Sequence, residues 1–146
     1  MRCCPTATKH SRGGGLCLIH RDTIKVKLQK YISYGSFECQ LVKLIISRSK
    51  SSDVINMAVI YRPPTTAENP VAVFYDEISG LFDKFSDIID GDQFVCCGDF
   101  NCGGDDPTSV SSDLQAMFDA RRLHQSYRMP FQTMTSLHGF CQRSRH

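Results

Sequence analysis

A mixed α/β fold is predicted by three features of the sequence. Four apolar or alternating runs precede residue 62, a helical pattern of apolar residues fills 70–91, and a second apolar run, Phe94-Val95-Cys96-Cys97, ends abruptly in Gly98-Asp99-Phe100-Asn101. A strand, a helix and another strand in that order form a crossover unit, which makes the strands ending at Tyr61 and Asp99 parallel neighbours. The 146 residues, 41% of them hydrophobic, suit one domain with a sizeable core. A net charge of +2 lacks the strong bias that by itself marks a nucleic-acid binder. Eight cysteines in a chain of this size, several of them inside apolar runs, read as free thiols in a reducing compartment rather than as a disulfide scaffold. Met1-Arg2-Cys3-Cys4-Pro5 has no signal-like apolar core, and no run approaches the ~18 apolar residues of a membrane span. A soluble, intracellular chain is the expectation.

Residues 1–12 are polar, basic and aperiodic, and read as an irregular lead-in. Gly13-Gly14-Gly15 precedes Leu16-Cys17-Leu18-Ile19, a short strand. The triplet lacks the Gly-Lys-Ser/Thr ending of a nucleotide loop, so a tight backbone turn is favoured over a phosphate cradle. Ile24, Val26 and Leu28 alternate with Lys25 and Lys27, the pattern of a strand with one solvated, lysine-bearing face that suits a sheet edge. Tyr34-Gly35-Ser36 is a turn. The strand over 37–46 becomes apolar on both faces toward its end and belongs nearer the sheet centre. Serine-rich 47–53 is a connection, and 54–61 is another nearly continuous apolar strand, closed by Arg62-Pro63-Pro64 because proline cannot donate to a ladder.

Asn69-Pro70 starts a helix, with the asparagine amide as cap and proline at the first helical position. Phe74, Ile78, Leu81, Phe82, Phe85, Ile88 and Ile89 then recur at three- and four-residue spacing, so one amphipathic helix runs to about Gly91 and packs on the sheet. Its aromatic stripe reads as core. Gly103-Gly104-Asp105-Asp106-Pro107 is a loop, and Leu114, Met117 and Phe118 mark a second helix running toward Leu123.

Open α/β sheets place their chemistry just beyond the carboxyl ends of strands, where Asp99 and Asn101 stand. If extended geometry persists through the turn, residues two apart share a side, and a carboxylate and an amide converge. Hydrolysis of a phosphodiester needs an oriented water, a base to take its proton, and donors or positive charge for the developing anion. The plain alternative is that Gly98-Asp99 only turns the chain and Tyr61 only anchors a strand end. Zinc is a further reading for Cys96, Cys97 and Cys102 with Cys3 and Cys4. Structural zinc sites favour cysteines spaced two to four apart, whereas neighbours Cys96 and Cys97 fall on opposite strand faces, so no metal ligand is assigned in this chain.

Arg12-Gly13-Gly14-Gly15 before a strand, Tyr61-Arg62-Pro63-Pro64 after one, a helix containing Phe74-Tyr75, and Gly98-Asp99-Phe100-Asn101 together resemble the endonuclease/exonuclease/phosphatase superfamily. More narrowly they are similar to the apurinic-type endonuclease domain that precedes reverse transcriptase in non-LTR retrotransposons. The resemblance covers residues 13–125 and leaves 126–146 as a divergent tail, read as a truncation or a change of reading frame. It implies a fragment of a four-layer α/β sandwich, two mixed sheets flanked by helices, and magnesium-dependent cleavage of DNA, in the nucleus if the element is functional. Residue by residue, it implies that Asp99 orients or deprotonates the attacking water, that Asn101 donates to a phosphate oxygen, that Tyr61 hydrogen-bonds the phosphate in the transition state, and that Arg62 adds a phosphate contact. The superfamily's phosphatases and sphingomyelinases are more distant relatives, since Tyr-Arg-Pro-Pro leans toward the retrotransposon branch.

Family members also carry an asparagine and a metal-binding glutamate upstream of the glycine triplet, and a terminal Asp-His pair. None of Glu38, Glu68 and Glu77 occupies the expected place, and no Asp-His dipeptide occurs; His124, His138 and His146 follow Leu123, Leu137 and Arg145. Magnesium binding is therefore expected to be weak or absent and the chain inactive as it stands. The alternative function is a non-catalytic remnant that binds nucleic acid or a protein partner through an exposed sheet.

Overall fold

The computed structural model of the chain describes residues 2–5, 16–89, 93–102, 111–129 and 137–142. Its elements are β1 (Arg2–Pro5), β2 (Cys17–His20), β3 (Ile24–Ser33), β4 (Glu38–Ser47), β5 (Ser52–Tyr61), α1 (Val71–Lys84), α2 (Ser86–Ile89), β6 (Phe94–Asp99), α3 (Ser112–Ala120), β7 (Leu123–Met129) and β8 (Leu137–Gln142). The fold is α/β. A six-stranded sheet has the order β3-β4-β5-β6-β8-β7, and β1 and β2 form a separate antiparallel ribbon. As the crossover predicts, β5 and β6 are parallel, with Tyr61 paired to Asp99; the other pairs in the sheet are antiparallel.

The alternation along the strands divides the sheet into two faces. Cys39, Leu41, Ala58, Ile60, Phe94 and Cys96 fall on one face and are fully buried under α1 and α3, whose Phe74, Ile78, Leu114 and Phe118 complete the core. The other face carries Val42, Val59, Val95 and Cys97. Leu16 lies over that second face, where its carbonyl accepts from Gln40 Nε2 at 3.3 Å. Strand β3 is the edge strand its lysines predict, with Lys25 and Lys27 exposed. The turn after it is tied to the helix layer, because the Glu77 carboxylate accepts from Gly35 N, Ser36 N and Ser36 Oγ at 3.1, 2.9 and 2.5 Å. Among the described residues no helix is long and apolar enough to cross a membrane.

Several expectations are corrected. Arg2–Pro5, read as irregular, pair with Cys17–His20, a four-residue ribbon too short to leave a periodic trace. The buried half of β4 is its first, Glu38–Val42, rather than its end: Cys39 and Leu41 lie in the core with the helices, while Gln40 on the opposite face donates to the Leu16 carbonyl. Asn69 does not cap α1; the cap is Pro70, without a side-chain bond, and the Asn69 amide donates to Pro63 O. The single helix to Gly91 is two helices, broken at Phe85, where the backbone leaves helical geometry at φ −119°. The tail is not structureless: β7 and β8 pair with each other, and β8 closes against β6. The glycine triplet at 13–15 and the 103–107 loop lie outside the described residues.

Candidate functional site

Three strands meet at one end of the sheet with polar residues in a single row. Glu38 opens β4, Tyr61 ends β5 and Asp99 ends β6; Glu38 is in register with Tyr61, and Tyr61 with Asp99, so all three fall on the face opposite the helices. Neighbouring strands lie about 4.8 Å apart, which places the two carboxylate-bearing residues on either side of the phenol. Tyr61 and Asp99 are half-buried, whereas Glu38 is only 5% exposed.

The strand ends are locked to each other by a reciprocal set of bonds. Arg62 N donates to Asp99 O at 2.9 Å, extending the parallel ladder by one residue. Asn101 Nδ2 donates to Arg62 O at 2.5 Å, and Arg62 Nη1 donates to Asn101 O at 2.9 Å. The chain does not stay extended after Asp99. Phe100 is buried in the core, and Asn101 adopts a left-handed backbone (φ 45°), a conformation asparagine tolerates. Its N–H turns back to Asp99 Oδ1 at 3.3 Å. Asp99 and Asn101 are thus brought together by an Asx-type turn rather than by the two-residue period of a strand. Gly98 makes the approach possible. It has φ +146°, and a Cβ there would lie 1.8 Å from Ile60 O.

Arg62 differs from the expectation of a phosphate contact. Its side chain is 0% exposed; Nη2 donates to Asn69 O at 3.1 Å, and the guanidinium stacks over Phe74 at 5.4 Å from the ring centroid. It is turned to the helix side of the sheet and binds carbonyls of two loops, so it offers no surface to a ligand. Its planar fork suits that bridging, which a lysine could not reproduce. Asn101 uses one amide hydrogen on Arg62 O, and an amide carries two.

Glu38 is the residue that sequence reasoning missed. Read in the middle of a strand, it stands at the strand's first position, level with Tyr61. Its Oε2 is buried and has no hydrogen-bond partner. Tyr31, diagonal to it across the β3–β4 ladder, has a pKa raised first by burial and then by the Glu38 carboxylate, both as a nearby charge and as a hydrogen-bond partner outside normal geometry. The one signal in the sequence was a carboxylate set among the apolar residues of Phe37-Glu38-Cys39-Gln40-Leu41-Val42. The oxygens of Asp99, Glu38 and Tyr61 are hard donors, a set that fits a magnesium-like cation, which takes one or two carboxylates and fills its shell with water and phosphate.

Among the described residues the cysteines form no metal centre of their own; the side chains of Cys3 and Cys4 lie outside that description. Cys96 is buried on the helix side, while Cys97 faces the other way. Burial pushes the Cys39 thiol up to about 12 and those of Cys97 and Cys102 to about 11, which keeps them protonated. Among the described residues no group of three or more His, Cys, Asp or Glu gathers closely enough to hold a metal. Compared with protein-family models, with curated proteins and with solved structures, the chain matches none.

Proposed function

We propose that this chain carries part of the active site of a metal-dependent phosphodiesterase of the DNA endonuclease type. The observation that supports it is the junction of Tyr61-Arg62 with Asp99-Asn101: two motifs far apart in sequence end on adjacent parallel strands and hold each other by reciprocal hydrogen bonds. Asp99 takes the proton of the attacking water and orients it. The second amide hydrogen of Asn101 and the Tyr61 hydroxyl donate to phosphate oxygens as charge develops on them. Arg62 holds the two loops in place. Magnesium, when bound by the carboxylates at this sheet end, supplies Lewis acidity toward the phosphate. By the same resemblance, DNA is the partner, a reverse transcriptase domain accompanies this one in the full element, and the site of action is the nucleus.

The sequence offers no Asp-His pair, and loss of one transition-state donor commonly costs about 10²–10³ in rate, so turnover by these 146 residues is slow or absent. That favours a second reading, a non-catalytic remnant that binds nucleic acid or protein through the sheet face bearing Val59, Val95 and Cys97. Nicking of supercoiled plasmid, with and without magnesium, separates the two. Magnesium-dependent nicking that Asp99→Asn abolishes supports the endonuclease reading. Retention on DNA without nicking, falling steeply with salt, supports the second. Nicking that survives Asp99→Asn sinks the assignment.

A further inference from the structure

We infer that the helix-side face of β3 and β4 is a docking surface for the phosphate backbone of a nucleic acid, built from Lys25, Lys27, Lys30 and Lys43. It lies apart from the strand ends that carry Tyr61 and Asp99, since Lys43 follows Glu38 by five residues along β4, about 17 Å at the rise of a strand. It is also the face opposite that of Val59, Val95 and Cys97. Binding there requires no chemistry at the strand ends.

Three observations carry it. The first is a bulge in β3. Unbroken alternation would set Gln29 beside Lys25 and Lys27 and turn Lys30 to the other face. Instead Leu28 pairs with Val42 and Lys30 with Leu41, so Gln29 is the extra residue and Lys30 joins Lys25 and Lys27, all three exposed. Ile32, next on that side, packs against the core under the helices. The second is that Lys27 stands directly opposite Lys43, a like-charge pair that weakens a sheet. Edge-strand lysines discourage stray pairing, but Lys43 is half-buried on the inner strand β4, where that reason does not apply. The third is that none of the four lysines enters an ion pair among the described residues. The pairs there are Arg48–Asp53, Arg121–Asp83 and His124–Asp119, and the Glu77 carboxylate is held by Gly35 and Ser36.

The shape of the row selects the partner. Lys25 to Lys30 covers about 15 Å, a length over which one strand of a duplex presents about four phosphates. A straight row of charge suits that linear array better than the plane of an anionic membrane. Lysine meets phosphate as a point charge on a flexible stem, so the surface binds backbone without reading bases.

The full chain is titrated into a fluorescently labelled DNA duplex of arbitrary sequence, with a metal chelator present so that no cleavage contributes, and binding is read by anisotropy from about 50 to 200 mM salt. The logarithm of the wild-type affinity is expected to fall against that of salt with a slope of about −3 to −4, close to one unit for each lysine engaged. Lys27→Gln and Lys43→Gln should each flatten the slope by about 1 and weaken binding about five- to tenfold at 0.1 M salt. Lys27→Gln, relieved of the like charge opposite, should also melt about 1–4 °C above the wild type. Lys84→Gln, which removes the same charge from the last turn of α1, should change neither slope nor affinity. Equal losses in Lys84→Gln overturn the inference, because net charge alone would then account for binding. So does a wild type that fails to bind the duplex at the lowest salt. Vesicles of phosphatidylcholine and phosphatidylserine run beside the duplex; capture by them that depends on Lys27 and Lys43, without capture of the duplex, overturns it in favour of a membrane. None of these outcomes bears on Asp99, whose role is decided by magnesium-dependent nicking.

Discussion

Replacing Arg62 separates two roles that the sequence leaves superimposed. A guanidinium at the surface as a phosphate contact would be dispensable for folding, and Arg62→Ala would then change stability by no more than about 0.5 kcal/mol. The buried clamp predicts far more. Two hydrogen bonds from a charged donor, to Asn101 O and Asn69 O, are worth about 1.5–3 kcal/mol each, and the stack on Phe74 adds about 1 kcal/mol. Removing a buried charge recovers part of this through desolvation, so a net loss of about 3–5 kcal/mol is expected. With a urea m-value of about 2 kcal/mol/M, that lowers the unfolding midpoint by about 2 M. Arg62→Lys keeps the charge but cannot span two carbonyls, and should lose about half as much. Urea titrations followed by far-ultraviolet circular dichroism measure all three proteins. A midpoint for Arg62→Ala within about 0.3 M of wild type would falsify the clamp, since a change that small is what a solvated contact gives.

Two further outcomes follow from the same sheet end and the core beside it. Gly98→Ala places a Cβ 1.8 Å from Ile60 O at a backbone angle that side chains rarely adopt, so the strand must shift; a loss of more than about 4 kcal/mol, or failure to recover soluble protein, is expected, and a melting temperature near wild type would contradict it. Because burial raises Cys39 to about 12 and Cys97 and Cys102 to about 11 from 9.0, the unfolded chain ionises these thiols first. Their stabilisation is complete below pH 9 and lost as pH rises through the window from 9 to between 11 and 12, at about 1.4 kcal/mol per pH unit for each thiol. Urea midpoints that stay flat between pH 8 and 10.5 would refute that.

Strand periodicity was legible wherever a strand had one wet face: the Lys25 and Lys27 alternation placed β3 at the edge, and the apolar run before Asp99 placed β6 beside β5. The crossover helix, by its length, made that pair parallel. What periodicity cannot carry is pairing without a pattern. Strand β1 is four residues long, and β8 is recruited by β6, whose free side would otherwise expose a row of unpaired backbone groups. The break at Phe85 was hidden for a different reason: α1 and α2 keep apolar residues at helical spacing across it. In the site, Tyr61 and Asp99 could be placed from strand ends alone. The meaning of their neighbours could not, because an arginine after a strand reads the same whether it faces water or Phe74. Glu38 was hardest to read, since it lies 61 positions before Asp99 and enters the row through antiparallel pairing with β5. A carboxylate inside an apolar run is a local conflict, and such conflicts persist where burial serves something other than stability.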